Sequence, residues 1–106
     1  MMPAPFACDM SAIPAAERPA HQALTRRLVH EALAELRELP DGFALRFAGG
    51  ERDAVAAFVA RERLCCPCLR FDVEVAPEGG PIWLSVTGDE GAKQFIQAEF
   101  GLAGVP

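Results

Sequence analysis

Across residues 51–76, ERDAVAAFVARERLCCPCLRFDVEVA, the apolar spacing changes period partway along, and Pro67 marks the change. Upstream of it Val55, Phe58 and Val59 recur at i, i+3 and i+4, the repeat of a helix with one buried face. Downstream, Leu69, Phe71, Val73 and Val75 alternate with Arg70, Asp72 and Glu74, the repeat of a strand with one covered face. Proline lacks the backbone N–H that would continue a helix, and its ring clashes with the preceding turn, so the helix stops there. A chain that passes directly from such a helix to such a strand must bury both stripes, and the economical solution is a helical layer against a sheet.

The flanking segments repeat this logic. Pro14 with Glu17 three residues later reads as a helix start, Leu24, Leu28 and Ala32 supply its apolar stripe, and the helix is expected to run to about residue 30. Residues 33–39 and 43–48 flank Pro40, Asp41 and Gly42 and read as a hairpin, although EALAELREL is also rich in helix formers. After the turn at PEGG, Ile82, Leu84 and Val86 alternate as a returning strand, and Ala92, Phe95 and Ile96 mark a last helix. The expected order is α-β-β-α-β-β-α: an α+β two-layer domain over residues 14–106, helices on one face of an antiparallel sheet, preceded by an N-terminal arm at 1–13. With 106 residues, 51% of them hydrophobic, the chain is sized for one core rather than two.

A net charge of −5 argues against a nucleic-acid surface, which needs a clustered basic footprint. The first residues lack the basic and then apolar regions of a secretory signal, and no run is long enough to span a bilayer, so a cytoplasmic protein is expected. In a reducing compartment clustered cysteines point to metal binding or catalysis rather than to a disulfide framework. The expected partner is thus a metal ion, with neither nucleic acid nor membrane, and a homodimer is left open.

Extended along the middle helix, the buried stripe leads from Val55 through Phe58 and Val59 to Glu62, and from Glu62 to Cys65 and Cys66. An acid thus shares a face with two thiols. It pairs with Arg61, Arg63 or Arg70, lies at the helix rim, or serves the thiols as ligand or proton acceptor, because an unpaired buried carboxylate is costly. Cys65, Cys66 and Cys68 close a helix, whereas a dithiol oxidoreductase places its cysteines at a helix start, where the dipole favours thiolate. At the C-terminal end the dipole opposes thiolate, and a bound cation removes that difficulty. Thiolates alone suit Cu(I) or Hg(II); adding Cys8, Glu62 or a histidine suits Zn(II). His21 and His30, nine positions apart on the first helix, cannot chelate together and read as solvated or capping side chains. No phosphate-binding glycine loop and no Ser-His-Asp order is present.

Phe6-x-Cys8-Asp9, PAAER, RELPDGFALRF, ERLCCP with LRF, and GGPIWLSVTG together resemble a group of small bacterial cysteine-containing proteins of uncertain function, over most of the chain. In that pattern a cysteine near position 8 accompanies the pair at 65 and 66 and the Glu-Arg at 62 and 63, while the position of Cys68 is more often an aromatic residue. The resemblance implies a shared thiol site, moves weight to Cys8, Cys65 and Cys66, and does not name its chemistry.

The leading expectation is a small thiolate protein that binds Zn, Cu(I) or Hg(II) for buffering, detoxification or delivery. Its candidate ligands are Cys8, Cys65, Cys66, Cys68 and Glu62, and no catalytic residue is assigned. A redox or thiol enzyme with Glu62 as proton acceptor is the alternative, and a non-catalytic binding module with packed cysteines is the third reading.

Overall fold

A computed structural model of the chain describes residues 9–102 and has the expected α+β architecture. After a 3-10 turn at Met10–Ala12 and a second at Ala15–Glu17 the chain enters helix α1 (Arg18–Arg27), with Pro19 in the first turn, where its missing N–H is least costly. A π-helical turn, Leu28–Ala32, extends α1 by the stretch that the stripe at Leu28 requires. Strands β1 (Glu35–Leu39) and β2 (Gly42–Phe47) form the hairpin, then come α2 (Arg52–Cys65), β3 (Arg70–Val75), β4 (Ile82–Thr87) and α3 (Ala92–Glu99).

The sheet is antiparallel with strand order β1-β2-β4-β3. The returning strand β4 pairs with both β2 and β3, so β2 and β3 run parallel with β4 between them, and α2 is the crossover that joins them. Gly42 opens β2 where the hairpin meets β4. A Cβ there would lie 1.9 Å from the Val86 carbonyl oxygen, so only glycine permits this approach.

Register assigns the two faces. Leu36, Leu45, Leu84 and Val73 form one cross-strand row, and Phe47, Ile82 and Val75 another. These rows meet the helices, and Leu45, Phe47, Ile82 and Leu84 are at most 3% exposed. The opposite face carries Arg46, Trp83 and Glu74 in one row, with the Arg37 guanidinium 4.5 Å from the centre of the Trp83 ring. One expectation needs correction. Val73 and Val75 point to the covered side but are 45% and 50% exposed, because β3 is an edge strand and the helical layer leaves that part of it open.

The core reaches further toward the N-terminus than the expected boundary at Pro14, since Ile13 is fully buried in it. On α2, Val55 and Phe58 sit in this core at 0% and 3% exposure, each such burial worth roughly 1.5–3 kcal/mol. They fix the rotation of α2 and with it the direction of the residues one turn on. No helix of the described residues is long and apolar enough to cross a membrane.

Candidate metal centre

One turn beyond Phe58 the buried stripe of α2 turns from hydrocarbon to chemistry. Glu62 is 3% exposed, and Cys65 and Cys66 are fully buried. The Cys66 N–H closes the last turn on the Glu62 carbonyl at 2.7 Å, after which the backbone leaves helical geometry (φ −128°, ψ 65°) ahead of Pro67. The two sulfurs then lie 3.8 Å apart. The Glu62 carboxylate faces both, with Oε2 3.5 Å from Cys65 Sγ and Oε1 4.0 Å from Cys66 Sγ.

The partner of Glu62 is none of the three arginines. Arg61 pairs with Glu17 at 2.6 Å, Arg70 with Asp72 at 3.2 Å, and Arg63 is exposed. The carboxylate instead meets His21, with Nε2 to Oε2 at 2.5 Å and both side chains buried. The reading of His21 as a solvated or capping residue is therefore corrected. His21 stacks on Phe58, ring centres 5.7 Å apart, and is the buried side chain of α1 that faces α2. A signal for it existed: His21, Leu24 and Leu28 stand at i, i+3 and i+7, so the stripe of the first helix starts one turn earlier than its leucines. His30, by contrast, is exposed, as expected.

His21 Nδ1 is buried and has no hydrogen-bond partner among the described residues. An unsatisfied buried donor or acceptor costs about 1–3 kcal/mol, more than a merely structural pair would ordinarily carry, so this one asks for a functional explanation.

His21, Glu62 and Cys65 are all buried and each offers a donor atom within 4.8 Å of the others, and such a group could hold a metal ion. The distances discriminate among ligand sets. Tetrahedral angles and bonds of about 2.3 Å to sulfur and about 2.1 Å to oxygen put sulfurs about 3.8 Å apart and sulfur and oxygen about 3.6 Å apart. The Cys65–Cys66 and Cys65–Glu62 separations, 3.8 and 3.5 Å, fit both edges, whereas Cys66 is 4.0 Å from the other oxygen of Glu62 and would have to close in on a shared ion. The His21–Glu62 contact at 2.5 Å is a hydrogen bond, well below the roughly 3.3 Å between nitrogen and oxygen on one such ion. His21 thus suits the role of orienting the carboxylate, as outer partners of metal-ligating carboxylates do.

The remaining candidates separate. Cys68 is exposed and faces a different recess, beside Asp41, Arg70 and Thr87, because the turn at Pro67 carries it away from Cys65 and Cys66. Cys8 lies outside the described residues. Its neighbour Asp9 is fixed at the site: the Asp9 N–H donates to the Cys65 carbonyl at 2.9 Å.

On the side of Glu62 and His21 a cavity of about 340 Å³ opens between α1 and the end of α3. Met10, Thr25, Arg26, Phe100 and Gly101 also line it. Gly101 ends α3 in the left-handed region (φ 64°), with the Gly101 N–H on the Ala98 carbonyl and the Leu102 N–H on that of Gln97. This Schellman turn buries Leu102 and sets the cavity rim.

No family model, no curated protein and no solved structure matches the chain, so its own side chains carry the functional reading.

Proposed function

We propose that the protein binds one soft or borderline metal ion, Zn(II), Cu(I) or Hg(II), in a reducing compartment, for buffering, detoxification or delivery. Cys65, Cys66 and Glu62 are the ligands and His21 orients the carboxylate. Cys8 is assigned as the fourth donor on the sequence pattern that couples it to Cys65 and Cys66; its neighbour in sequence, Asp9, donates its N–H to the Cys65 carbonyl. The observation that carries this reading is the buried cluster of two sulfurs and a carboxylate, in which the sulfur–sulfur and Cys65–Glu62 separations, 3.8 and 3.5 Å, match two edges of a coordination tetrahedron while Cys66 stands 4.0 Å from the other carboxylate oxygen. The dipole supports it too: the thiols sit at the C-terminal end of α2, where a cation is the natural complement.

Competition with a chelator of moderate affinity tests it. The protein should take up one ion per chain, and Cys65→Ser/Cys66→Ser should take up none. Glu62→Gln should weaken binding by roughly 10–100-fold, the usual cost of altering a ligand or the group that holds it. Uptake by the double serine variant at the wild-type level overturns the assignment.

A second reading, a thiol enzyme, draws on the chain Cys65–Glu62–His21, in which Glu62 Oε2 stands 3.5 Å from the sulfur and 2.5 Å from the imidazole. It predicts reaction of Cys65 with mild peroxide or a disulfide at a catalytic rate, abolished in Glu62→Gln. Metal uptake without that reactivity decides for the first reading.

A further inference from the structure

A protein that only stores an ion has no need of space beside the acid that faces its thiols. Here Glu62 is an interposed group: its oxygens lie 3.5 and 4.0 Å from the sulfurs of Cys65 and Cys66, and Glu62 also lines the cavity of about 340 Å³. An apolar cavity of about 150 Å³ is enough to hold benzene, so this one has room for an alkyl or aryl group. Its wall is mixed: Met10, Ala98 and Phe100 are apolar, and Thr25, Arg26 and Glu99 are polar or charged. The His21–Glu62 hydrogen bond, 2.5 Å long, holds a proton between two buried groups, and its carboxylate oxygen is the one nearest Cys65 Sγ. Glu62 thus touches two soft donors, shares a hydrogen bond with His21 and borders a space for an organic group, which the sulfurs themselves do not line.

We propose that the site cleaves the carbon–metal bond of organometallic cations of a soft ion, alkyl- and arylmercury in particular, by protonolysis. The inference rests on the reading of Cys65 and Cys66 as metal ligands. In R–Hg⁺ the mercury exchanges onto one thiol, which loses its proton, and the second sulfur adds to the same ion. Electron donation from two sulfurs weakens the carbon–mercury bond. The proton held between His21 and Glu62 passes to the carbon, the bonding electron pair leaves with the carbon, and R–H departs through the cavity. The second thiol's proton refills the His21–Glu62 pair. The balance is R–Hg⁺ + 2 Cys–SH → Cys–S–Hg–S–Cys + R–H + H⁺, with no change of oxidation state at mercury. Two molecules of a small free thiol then exchange for the cysteines and remove the ion as a dithiolate, which resets the site.

The full-length, reduced protein is mixed in excess with phenylmercuric acetate, and benzene is measured in the headspace; Hg(II) uptake is measured in parallel. One equivalent of benzene per mercury is expected, with further turnovers when free cysteine is added. In D₂O the benzene should carry one deuterium. Glu62→Gln, kept in excess so that weakened binding does not limit the result, should release benzene at least about 100-fold more slowly, the usual range for a lost proton donor. Hg(II) uptake with phenylmercury left intact overturns the cleavage and leaves the metal reading standing. Failure to take up either compound overturns both. Benzene free of deuterium, a result that needs no variant, overturns protonolysis, and wild-type release from Glu62→Gln removes Glu62 from the step.

Discussion

Replacing His21 by Phe keeps a planar ring against Phe58 and removes both the group that holds Glu62 and the unpartnered Nδ1, so its effect is the loss of the pair offset by the loss of that orphan. The cavity alongside His21 gives the larger ring room, which limits overpacking. Apart from this hydrogen bond, the Glu62 carboxylate has only the two thiols as side-chain partners in the described contacts, at 3.5 and 4.0 Å, and thiols are weak donors. A buried polar group left unsatisfied costs about 1–3 kcal/mol, and a buried ion pair deprived of one partner about 3–5 kcal/mol. The two ranges meet near 3 kcal/mol, and removal of the orphan Nδ1 offsets part of that loss, leaving a net destabilisation of a few kcal/mol at most. The double variant His21→Phe/Glu62→Leu has no orphan left and should recover to within about 1 kcal/mol of wild type, since apolar replacement of a buried pair is often neutral. Urea unfolding of the metal-free protein, with unchanged m-value, measures both. A double variant no more stable than the single would refute the claim that the pair exists for the site rather than for the fold.

Cys68→Ser should leave ion uptake and stoichiometry unchanged, because Cys68 is exposed and apart from the buried donors; a loss of uptake in the chelator competition would return it to the ligand set. Gly42→Ala should destabilise by more than about 1 kcal/mol, measured by thermal or urea unfolding, since the new Cβ meets the Val86 carbonyl oxygen at 1.9 Å. The paired guanidinium–carboxylate contacts of Arg27 and Glu51, both 2.9 Å, hold the Glu51 carboxyl below the usual glutamate range. Their stabilisation is present above the unfolded-state value and lost as pH falls through the lower folded-state value. Glu51→Gln should therefore be less stable than wild type near neutrality, and the gap should close in acid; urea midpoints at a series of pH values check this, and a gap independent of pH contradicts it.

What could be read from the sequence and what could not divides along physical lines. Periodicity is local, so the change of period at Pro67 gave α2 and β3, and the Pro-Asp-Gly turn gave the hairpin. Strand order is a tertiary property: nothing in LRFDVEVA says that β3 ends as an edge, and Val73 and Val75 are exposed for that reason. Glu62 was legible as an acid on an apolar stripe, but its partner stands 41 residues away on another helix. His21 had the spacing of a core residue, and a histidine on such a stripe is ambiguous until the facing helix is known to carry an acid. Cys68 is adjacent to the site in sequence yet exposed beside a different recess, because the turn at Pro67 carries it away from the buried Cys66.

The most direct test of the metal site is X-ray absorption at the zinc edge, on reduced protein loaded with one equivalent of Zn(II). A shell of two or three sulfurs at about 2.3 Å with one or two oxygen or nitrogen neighbours at about 2.0–2.2 Å is the expected result. A first shell of oxygen and nitrogen alone, with no sulfur, would contradict coordination by Cys65 and Cys66 and with it the account of the site.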